Sequence, residues 1–497
     1  MVGAFMAILD TTIVDVVLPK MMAPLKTDLY GIQWVVTAYM MAAATSLPLL
    51  ENLSLRFGLK PVYLAGVLLF TVSSYLCGTA EELSLMILYR TVQGFAEALI
   101  MVSAQAILFT LYPPEKRGVA MGVFGLGASF APAVGPTLGG WLTEHLSWHW
   151  VFFINVPVGV FLFTASLFFL PEPLKERKKL PFNFVSFLFL SVATVSTLLV
   201  LSKGQQYGWF TSNFIAFTAL IAVVSYVLFF VSELLSRHPL VEPSLLKRGN
   251  VLVALWVFTF VLGFSMYAVF YAVPLYFEHL KGLSTLQTGL LILPFAFAIA
   301  VFSVLAGVLS DRWSAEGTLF TAIAVYFVSL YLLSDTEYYT PKEVVSAELT
   351  VMGVGLGLFF APVTVLALKN LEEKSVAVIS LLDYVRFVGG SFGTAVATNT
   401  LKGKTAEHFE GIGALQGLEY HFVFETVKAK AEHFLNASAS YEEALLKAFY
   451  AVGQLQFKVA YGLAFGDLFV VSGAFALVGV LALAAYQLKS LIKLKRR

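Results

Sequence analysis

Long apolar runs alternate with short polar segments along almost the whole chain. Most runs are about 18 to 25 residues long, enough for a helix to cross a hydrocarbon core of about 30 Å at about 1.5 Å per residue. This length predicts helices rather than barrel strands, because a helix satisfies its backbone hydrogen bonds within itself. Fourteen spans fit the pattern, near residues 2–23, 33–53, 61–80, 84–110, 118–142, 150–170, 184–203, 212–233, 250–277, 286–309, 317–335, 345–368, 376–400 and 465–488.

Composition excludes an ordinary soluble domain. Hydrophobic residues make up 59% of the chain and charged residues only 13%, whereas soluble domains carry about 25% charged residues. The predicted fold class is therefore an all-α polytopic membrane protein. The first span begins almost at Met1, so we expect either a trimmed chain or a start further upstream.

Lysine and arginine concentrate in every second loop. If the N-terminus is cytoplasmic, the inner loops and the C-terminal tail hold roughly four times as many basic residues as the outer loops, which is the bias of the positive-inside rule. Both termini are therefore predicted to be cytoplasmic. The net charge of +1, with basic residues spread over many loops, predicts no nucleic-acid partner.

Disulfides, metal sites and enzyme motifs are not predicted. Cys77 is the only cysteine, so no disulfide framework can form. His145 and His149 are four residues apart but lie at a membrane edge beside Trp148 and Trp150, where interfacial anchoring is the expected role. The sequence has no haem-ligand histidine pair, phosphate-binding glycine loop or nucleophile elbow, so we do not expect an enzyme.

The spans group as six, two and six. Charged, proline-flanked stretches follow the sixth span (171–183) and the eighth (236–250). We expect an N-terminal six-helix bundle in residues 1–170, two linker helices in 171–249 and a C-terminal bundle in 250–497. The loops after the second and the tenth span are similar. This weak symmetry predicts alternating access between two rocking bundles, with the site near the midplane.

One large segment, residues 401–464, separates the last two spans on the predicted outer side. Its stretches 414–435 and 441–461 are helical by pattern, and Ser440 with Glu443 forms a capping box at the start of the second. The expected structure is a helical hairpin that extends the last two spans out of the membrane. It is either a docking site for a periplasmic partner or a passive cap over the exit.

Several ionisable residues lie inside predicted spans, where an unpaired charge costs a few kcal/mol, and three of them are candidates for proton coupling. Asp10 is in the first span and Arg90 in the fourth. Alternating exposure of a carboxyl group to an arginine and to water can load and release a proton, and arginine itself stays charged. Glu97 is seven residues after Arg90, on the same helix face. These three residues form the predicted proton-coupling site; a purely structural network is the alternative.

Other polar and aromatic side chains are candidates for a substrate cavity. Asp15 lies about 140° around the helix from Asp10, so the two cannot share one narrow stripe. Asp383 and Arg386 are three residues apart and can pair on one face, either structurally or with substrate. Aromatic walls suit flat hydrophobic or cationic compounds. The aromatic candidates are Tyr39, Tyr267, Tyr271 and Phe360.

Small residues at four-residue spacing occur in the fifth and thirteenth spans, where they let a neighbouring backbone approach closely. In the fifth span, Pro132 and Pro136 remove backbone donors and predict a kink. We expect this helix to act as a gate, although packing alone is the simpler role. The residues expected to form the gate are Gly135, Pro136, Gly139 and Gly140.

Five segments resemble motifs of the major facilitator superfamily. They are LDTTIVDVVLP (Leu9 to Pro19), QWVVTAYMMA (Gln33 to Ala42), LYRTVQGFAEA (Leu88 to Ala98), GASFAPAVGPTLGG (Gly127 to Gly140) and FFINVPVG (Phe152 to Gly159). The resemblance covers essentially the whole chain and is closest to fourteen-helix drug:proton antiporters of the EmrB and QacA type. It implies two six-helix bundles with two inserted helices, and a multidrug exporter of a bacterial-type inner membrane.

The loop after the second span departs from the family pattern. Glu51 stands where the family has glycine, and Leu55 precedes Arg56 where an acidic residue is common. The usual gating contact of this loop is therefore not expected. The remaining gating candidates of the two matching loops are Arg56, Gly58, Asp311 and Arg312.

Three acids, Asp15, Glu97 and Asp383, stand where family members commonly carry neutral residues, which predicts a preference for cations. The expected partners are small hydrophobic or cationic drugs, protons and membrane lipids, with the proton gradient as driving force and no cofactor. By the same resemblance, the long hairpin implies a periplasmic membrane-fusion adaptor of the EmrA type and an outer-membrane channel. An exporter of one dedicated solute, such as a lipid, siderophore or metabolite, is the alternative.

Overall fold

The computed structural model describes residues 1–172, 181–418, 420–435 and 440–495. Within these ranges the chain is helical and forms no strand. Part of the expected linker loop, residues 173–180, lies outside them. The helices of the described residues are α1 Val2–Met21, α2 Tyr30–Phe57, α3 Leu59–Gly78, α4 Leu83–Leu111, α5 Arg117–His145, α6 Trp150–Phe169, α7 Phe184–Tyr207, α8 Asn213–Leu235, α9 Gly249–Leu280, α10 Thr285–Arg312, α11 Ala315–Leu333, α12 Lys342–Ala367, α13 Ser375–Leu418, α14 Tyr420–Phe434 and α15 Tyr441–Lys495.

Twelve of these helices are long and apolar enough to span a membrane, and α5 makes thirteen when its two bent parts are counted as one span. The count is made on the described residues by length and composition, and it falls below the fourteen spans expected from the sequence. The span expected near 2–23 corresponds to α1, a 20-residue helix outside that count. The chain is a multi-pass membrane protein, since so many apolar helices need a bilayer to cover their outer faces.

Two helices depart from regular α geometry. Helix α5 bends by 43° between Pro132 and Val134, the kink expected where proline removes a backbone donor. Helix α9 contains π-helical turns at Phe258–Met266 and Tyr276–Leu280. In the first of these turns Gly263 packs directly on the backbone of Gly389 in α13. Two glycines at this crossing allow the two helices to meet at backbone distance.

The longest contact between the two halves of the chain runs along α5 and α10. Small residues line it from one end to the other: Gly118 meets Gly307, and Gly122 meets Ser303, whose Oγ donates to the Gly122 carbonyl over 2.7 Å. The inserted pair α7 and α8 pack on each other, and α7 also contacts both α2 and α13. The inserted helices therefore lie against both halves.

Charged contacts close one end of the molecule, where α5 begins and α10 ends; we call it the basic end. The Asp311 carboxylate accepts hydrogen bonds from the backbone N–H groups of Gly118 and Val119 over 2.7 and 2.9 Å. A carboxylate at a helix N-terminus is stabilised by the free N–H groups and the helix dipole. Arg117 pairs with Glu372 over 2.7 Å. These contacts join the first half of the chain to the second.

The opposite end carries the hairpin, so we call it the hairpin end. Helix α13 continues as one helix to Leu418, and α15 begins at Tyr441, where Ser440 Oγ accepts from the Glu443 N–H over 3.2 Å. Helix α14 packs on α15 through Val427, Ala431, Ala444 and Ala448. The predicted helical segments are present, and α13 and α15 are single long helices that carry the hairpin away from the bundle.

Candidate functional site

A buried ion pair lies in the first half of the chain. Asp10 of α1 and Arg90 of α4 both have fully buried side chains, and Arg90 Nη1 lies 2.5 Å from Asp10 Oδ2. Each is surrounded by apolar helix, where a single charge is expensive. Close pairing with full hydrogen bonding is what makes two such charges tolerable. The structure therefore brings together the two residues that the sequence marked most strongly.

Amide and hydroxyl groups from two further helices complete this centre. Asn155 of α6 donates to Asp10 Oδ1 over 2.6 Å, and Gln93 donates to the same oxygen over 3.1 Å. The Gln93 Oε1 accepts from Arg90 Nη1 over 2.7 Å, and its Nε2 also donates to Ser74 Oγ of α3 over 2.7 Å. Helices α4 and α6 thus donate to the Asp10 carboxylate of α1, α3 supports the donors through Ser74, and both carboxylate oxygens are satisfied.

The guanidinium of Arg90 is held by backbone and aromatic groups as well. Its Nε donates to the Val35 carbonyl over 3.2 Å, and its Cζ lies 4.0 Å from the centre of the Tyr39 ring. A cation over a ring face is attracted by the ring quadrupole, more strongly when water is excluded. Among the described residues its Nη2 has no hydrogen-bond partner. Tyr39 is therefore a wall of the ion pair and is itself fully buried.

Glu97 lies on the same face of α4 as Arg90, two turns further along, but Arg90 forms its ion pair with Asp10 instead. Its side chain is 3% exposed, and within the described residues its Oε2 has no hydrogen-bond partner. It interacts electrostatically with Arg386 of α13, in the other half, and less with Arg90, and a side-chain hydrogen bond links it to Tyr39. The expected Arg90–Glu97 stripe is thus divided, because Asp10 takes Arg90 and Glu97 faces the second half of the chain.

The second buried ion pair lies on α13. Arg386 Nη2 is 3.1 Å from Asp383 Oδ1, and Nε donates to the same oxygen over 3.2 Å. Arg386 Nη1 donates to the Tyr267 hydroxyl of α9 over 3.3 Å. Asp383 Oδ2 has no hydrogen-bond partner in the described part of the chain. Arg386 is therefore paired with Asp383 and interacts electrostatically with Glu97, and each of these carboxylates keeps one oxygen without a hydrogen-bond partner among the described residues.

The other cavity candidates lie in different surroundings. Asp15 has an exposed side chain, nearer the hairpin end of α1 than the buried Asp10. Tyr271 is 37% exposed and lines a cavity near the hairpin. Phe360 packs on Phe258, with ring centres 5.9 Å apart, and against Gly125 of α5. Asp15 interacts electrostatically with Arg90 of the first ion pair, whereas Tyr271 and Phe360 make their contacts elsewhere.

Small residues of α5 support the helix that carries Asp10. Gly135 packs against Thr12. A Cβ atom added to Gly139 would lie 3.3 Å from the Ile13 side chain. Any larger side chain at either position would push α1 away. Gly140 faces Thr285 of α10 instead, and Pro136 lies inside the bent helix. These glycines thus allow close packing of α5 on both of its neighbours.

The gating candidates at the basic end differ between the two halves. Arg56 is exposed and lies over Phe57, and Arg312 is exposed at the end of α10. Gly58 has φ +97°, which only glycine adopts freely. The carboxylate that caps α3, by accepting from Leu59 and Lys60 N–H groups over 3.1 and 3.3 Å, comes from Glu172. Asp311, which belongs to the second half, caps α5 of the first half.

A second charged contact at the basic end involves residues that sequence reasoning did not select. Lys374, just before α13, pairs with Glu242 in the loop before α9. Hydrogen bonds from Lys374 and from Ser244 hold the pKa of Glu242 below its usual range. Glu51 interacts electrostatically with both members of the pair. The residue that departs from the family pattern in the first loop thus takes part in this cluster.

The sequence analysis also missed the neutral ligands of Asp10. Gln93 was detectable, because it lies three residues after Arg90 and so on the same helix face. Asn155 lies in a segment that resembles a family motif, but nothing in the sequence marks it as a partner of Asp10, and Ser74 lies in an apolar helix without any signal. Among the described residues no cluster of three or more His, Cys, Asp or Glu side chains could hold a metal.

Comparisons with known proteins agree with this architecture. The multidrug export protein EmrB of Haemophilus influenzae is 30% identical over 82% of this chain and 80% of its own, and EmrB of Escherichia coli (strain K12) is 28% identical over 82% and 80%. The uncharacterized MFS-type transporter YhcA of Bacillus subtilis is 27% identical over 89% and 83%. The human organic anion transporter MFSD10 (TETRAN) shares the fold, with a TM-score of 0.57, 14% identity, and coverage of 96% of this chain and 97% of its own.

The family model described as Major Facilitator Superfamily matches residues 1–394. This family and the names of the relatives indicate a transporter rather than an enzyme. The chain belongs to the Major Facilitator Superfamily.

Proposed function

We propose that this protein is a proton-coupled multidrug exporter of hydrophobic and amphiphilic compounds, working by rocking of its two bundles. Export of drugs is supported by relatives that are named multidrug export proteins. One observation carries the coupling part of the proposal: a carboxylate, Asp10, is fully buried and paired with an equally buried arginine, Arg90. A carboxylate can be switched between its two protonation states by its surroundings, because burial favours the neutral form and a nearby arginine favours the charged form.

The coupling cycle follows from the chemistry of that pair. While Asp10 is ionised, it holds Arg90 over 2.5 Å. A proton reaching Asp10 removes its charge, and Arg90 then lacks its ionic partner. The cost of an unpaired buried cation favours a rearrangement of α1 against α4. Return of the pair expels the proton on the other side of the membrane. Coupling thus needs no cofactor beyond the proton gradient.

The alternating-access part of the proposal is supported by the charged contacts at the basic end. By the positive-inside rule this end faces the cytoplasm of a bacterial-type inner membrane. The Asp311 cap, the Arg117–Glu372 pair and the Glu242–Lys374 pair all join elements of different parts of the chain there. A cycle that opens this side must break them, so they act as the inner gate.

Substrate and partners follow the same reasoning. Arg386 pairs with Asp383 and interacts electrostatically with Glu97. Two carboxylates and one guanidinium have a formal charge of about −1 together. This charge suits a singly charged cation or a hydrophobic compound that carries a polar group. The hairpin of α13, α14 and α15 is proposed as the docking element for a periplasmic membrane-fusion adaptor. Lipids contact outward-facing rings such as Phe168 and Phe169.

The test of proton coupling is dye transport in inverted membrane vesicles with a defined pH gradient, using ethidium. We expect the native chain to accumulate dye when the vesicle interior is acidic. Asp10→Asn should lose this gradient-driven accumulation but keep downhill dye equilibration. The second measurement separates loss of coupling from loss of folding. Normal gradient-driven transport by Asp10→Asn would show that the coupling carboxylate is another residue.

A matched variant controls for the unpaired arginine. Asp10→Asn leaves Arg90 without its carboxylate, so the double variant Asp10→Asn, Arg90→Gln removes the whole pair. If folding alone explained the loss, the double variant should restore gradient-driven transport. We expect it to restore protein yield without restoring coupling.

A further inference from the structure

An unassigned cavity of about 450 Å³ lies at the base of the hairpin, between α9, α13 and α15. Its volume falls within the range of about 300–1,000 Å³ that is typical of small-molecule sites. Its walls come from one residue pair on α9, a long face of α13 and one turn of α15. The lining residues are Tyr271, Leu275, Thr398, Leu401, Lys402, Thr405, Ala406, Phe409, Glu410, Phe457 and Tyr461.

The walls of this cavity are aromatic. Tyr271, Phe409, Phe457 and Tyr461 contribute rings from three different helices. The rings of Phe457 and Tyr461 are stacked, with centres 5.9 Å apart and planes 20° apart. Aromatic rings prefer such offset stacking with other flat rings. The walls therefore favour a flat aromatic body over a flexible acyl chain.

The charged groups of the cavity are exposed and opposite in sign. Lys402 and Glu410 are both exposed members of the lining, one cationic and one anionic. Two opposite charges beside an apolar chamber accept a polar or singly charged head group without imposing a sign. The ligand class that fits is thus an amphiphile with an aromatic body and one polar head.

One face of α9 connects this cavity with the central charges. Tyr267 accepts a hydrogen bond from Arg386, and Tyr271 and Leu275 follow at four-residue steps, so all three lie on one side of the helix. Each step is about 6 Å along the axis. The cavity thus begins about one helical turn beyond the Asp383–Arg386 pair, towards the hairpin end.

We propose that this cavity is an exit site, in which an exported aromatic amphiphile rests at the base of the hairpin before release. The role of the cavity in exit rests on the proposed export function, whereas binding of the ligand does not depend on proton coupling. It gives the hairpin base a role in binding small molecules, in addition to any protein partner at its tip.

The test is ligand protection of a cysteine placed in the cavity wall. Cys77, the only native cysteine, is fully buried, so the native chain gives the background. Ala406→Cys puts an accessible thiol in the lining of the full-length protein in lipid nanodiscs. Gly403→Cys is the matched control, since it lies on the same helix and a Cβ there meets nothing within 4 Å. The rate of alkylation by a polar maleimide is measured with and without ethidium.

Ethidium should slow alkylation of Ala406→Cys about tenfold at a concentration about ten times its Kd, because only the unoccupied fraction reacts. The Gly403→Cys rate should stay the same. Equal protection by lysophosphatidylcholine would overturn the proposal, since the cavity would then be a lipid site. Absence of ethidium protection would overturn it as well.

The same assay in an Asp10→Asn background separates the two proposals. Protection that persists there supports the cavity even if gradient-driven transport is lost. If transport of the native chain is normal and protection is absent, the exit site fails while the proposed function stands.

Discussion

The two buried ion pairs of this protein differ in how completely they are satisfied. The Asp10–Arg90 pair lies within the first half, and Asn155, Gln93 and the arginine saturate the carboxylate. The Asp383–Arg386 pair faces the other half, and there Asp383 and Glu97 each keep an oxygen without a hydrogen-bond partner among the described residues. Among the described residues the carboxylate of the first pair is fully satisfied, whereas the second centre keeps two free carboxylate oxygens.

The difference indicates two roles for similar residues. A buried carboxylate whose two oxygens are both satisfied has no free acceptor to offer a ligand, and the change available to it is protonation or separation from its arginine. A buried carboxylate oxygen without a donor carries a desolvation cost that an incoming donor or cation can remove. The first pair therefore fits coupling, and the second fits substrate recognition.

The largest expected effect comes from breaking the saturated pair. Arg90→Leu leaves Asp10 as an unpaired buried charge, and loss of one partner from such a pair costs about 3–5 kcal/mol. The melting temperature of the purified protein should fall sharply. Adding Asp10→Asn should restore part of the loss, because the unpaired charge is then gone.

Arg386→Leu is the matched variant in the other centre. It should destabilise the protein less than Arg90→Leu, because fewer hydrogen bonds are lost there. An equal or greater fall in melting temperature for Arg386→Leu would contradict the distinction between the two centres.

The next effect concerns how tightly the first centre is packed. A Cβ on Gly94 of α4 would collide with the backbone carbonyl of Tyr39, the residue whose ring covers Arg90. Gly94→Ala should cost about 1–3 kcal/mol, as overpacking does, in thermal unfolding. Gly411→Ala in α13 has open space around its Cβ and should leave the melting temperature equal or slightly higher. Equal losses at both sites would show that close packing at Gly94 is unimportant.

A smaller effect on stability, with a clear effect on selectivity, is expected at Glu97. Glu97→Gln keeps the shape and removes the charge beside Arg386. The KM for a cationic dye should rise about tenfold, equivalent to about 1.4 kcal/mol, while a neutral substrate is transported as before. Efflux kinetics with ethidium and with an uncharged dye provide the measurement. A parallel loss for both substrates would instead indicate a structural role.

The smallest effect on stability is expected from the exposed ion pair between Glu242 and Lys374. Glu242 and Lys374 are 40% and 35% exposed, and such pairs contribute about 0–1 kcal/mol. Because the pKa of Glu242 is lowered in the folded protein, its stabilising effect is present above the usual carboxyl range and is lost as pH falls through the lowered value. Glu242→Gln should change the melting temperature by little at pH 7 and by nothing in acid. A large fall in melting temperature at pH 7 would instead show that this exposed pair stabilises the fold as much as a buried pair does.

Much of the fold was readable in the sequence because helix length and apolarity are local properties. The kink at Pro132 to Val134 and the two helical stretches of the hairpin appear where the pattern predicted them. The π-helical turns of α9 had no local signal in the sequence, and the first of them lies where Gly263 meets Gly389 of another helix. The count of spans also depends on how a bent helix is divided.

The site was only partly predictable, for a related reason. The sequence by itself determined that charges such as Asp10, Arg90 and Asp383 must lie in apolar helices and must find partners there, because the bilayer offers none. Which partner each one finds is decided by helix rotation and crossing, which only the tertiary structure fixes. Asp10 took Arg90 and Asn155, Glu97 turned to Arg386, and Glu172 replaced the missing acid of the first loop. Burial cost thus required the pairs, and three-dimensional packing chose them.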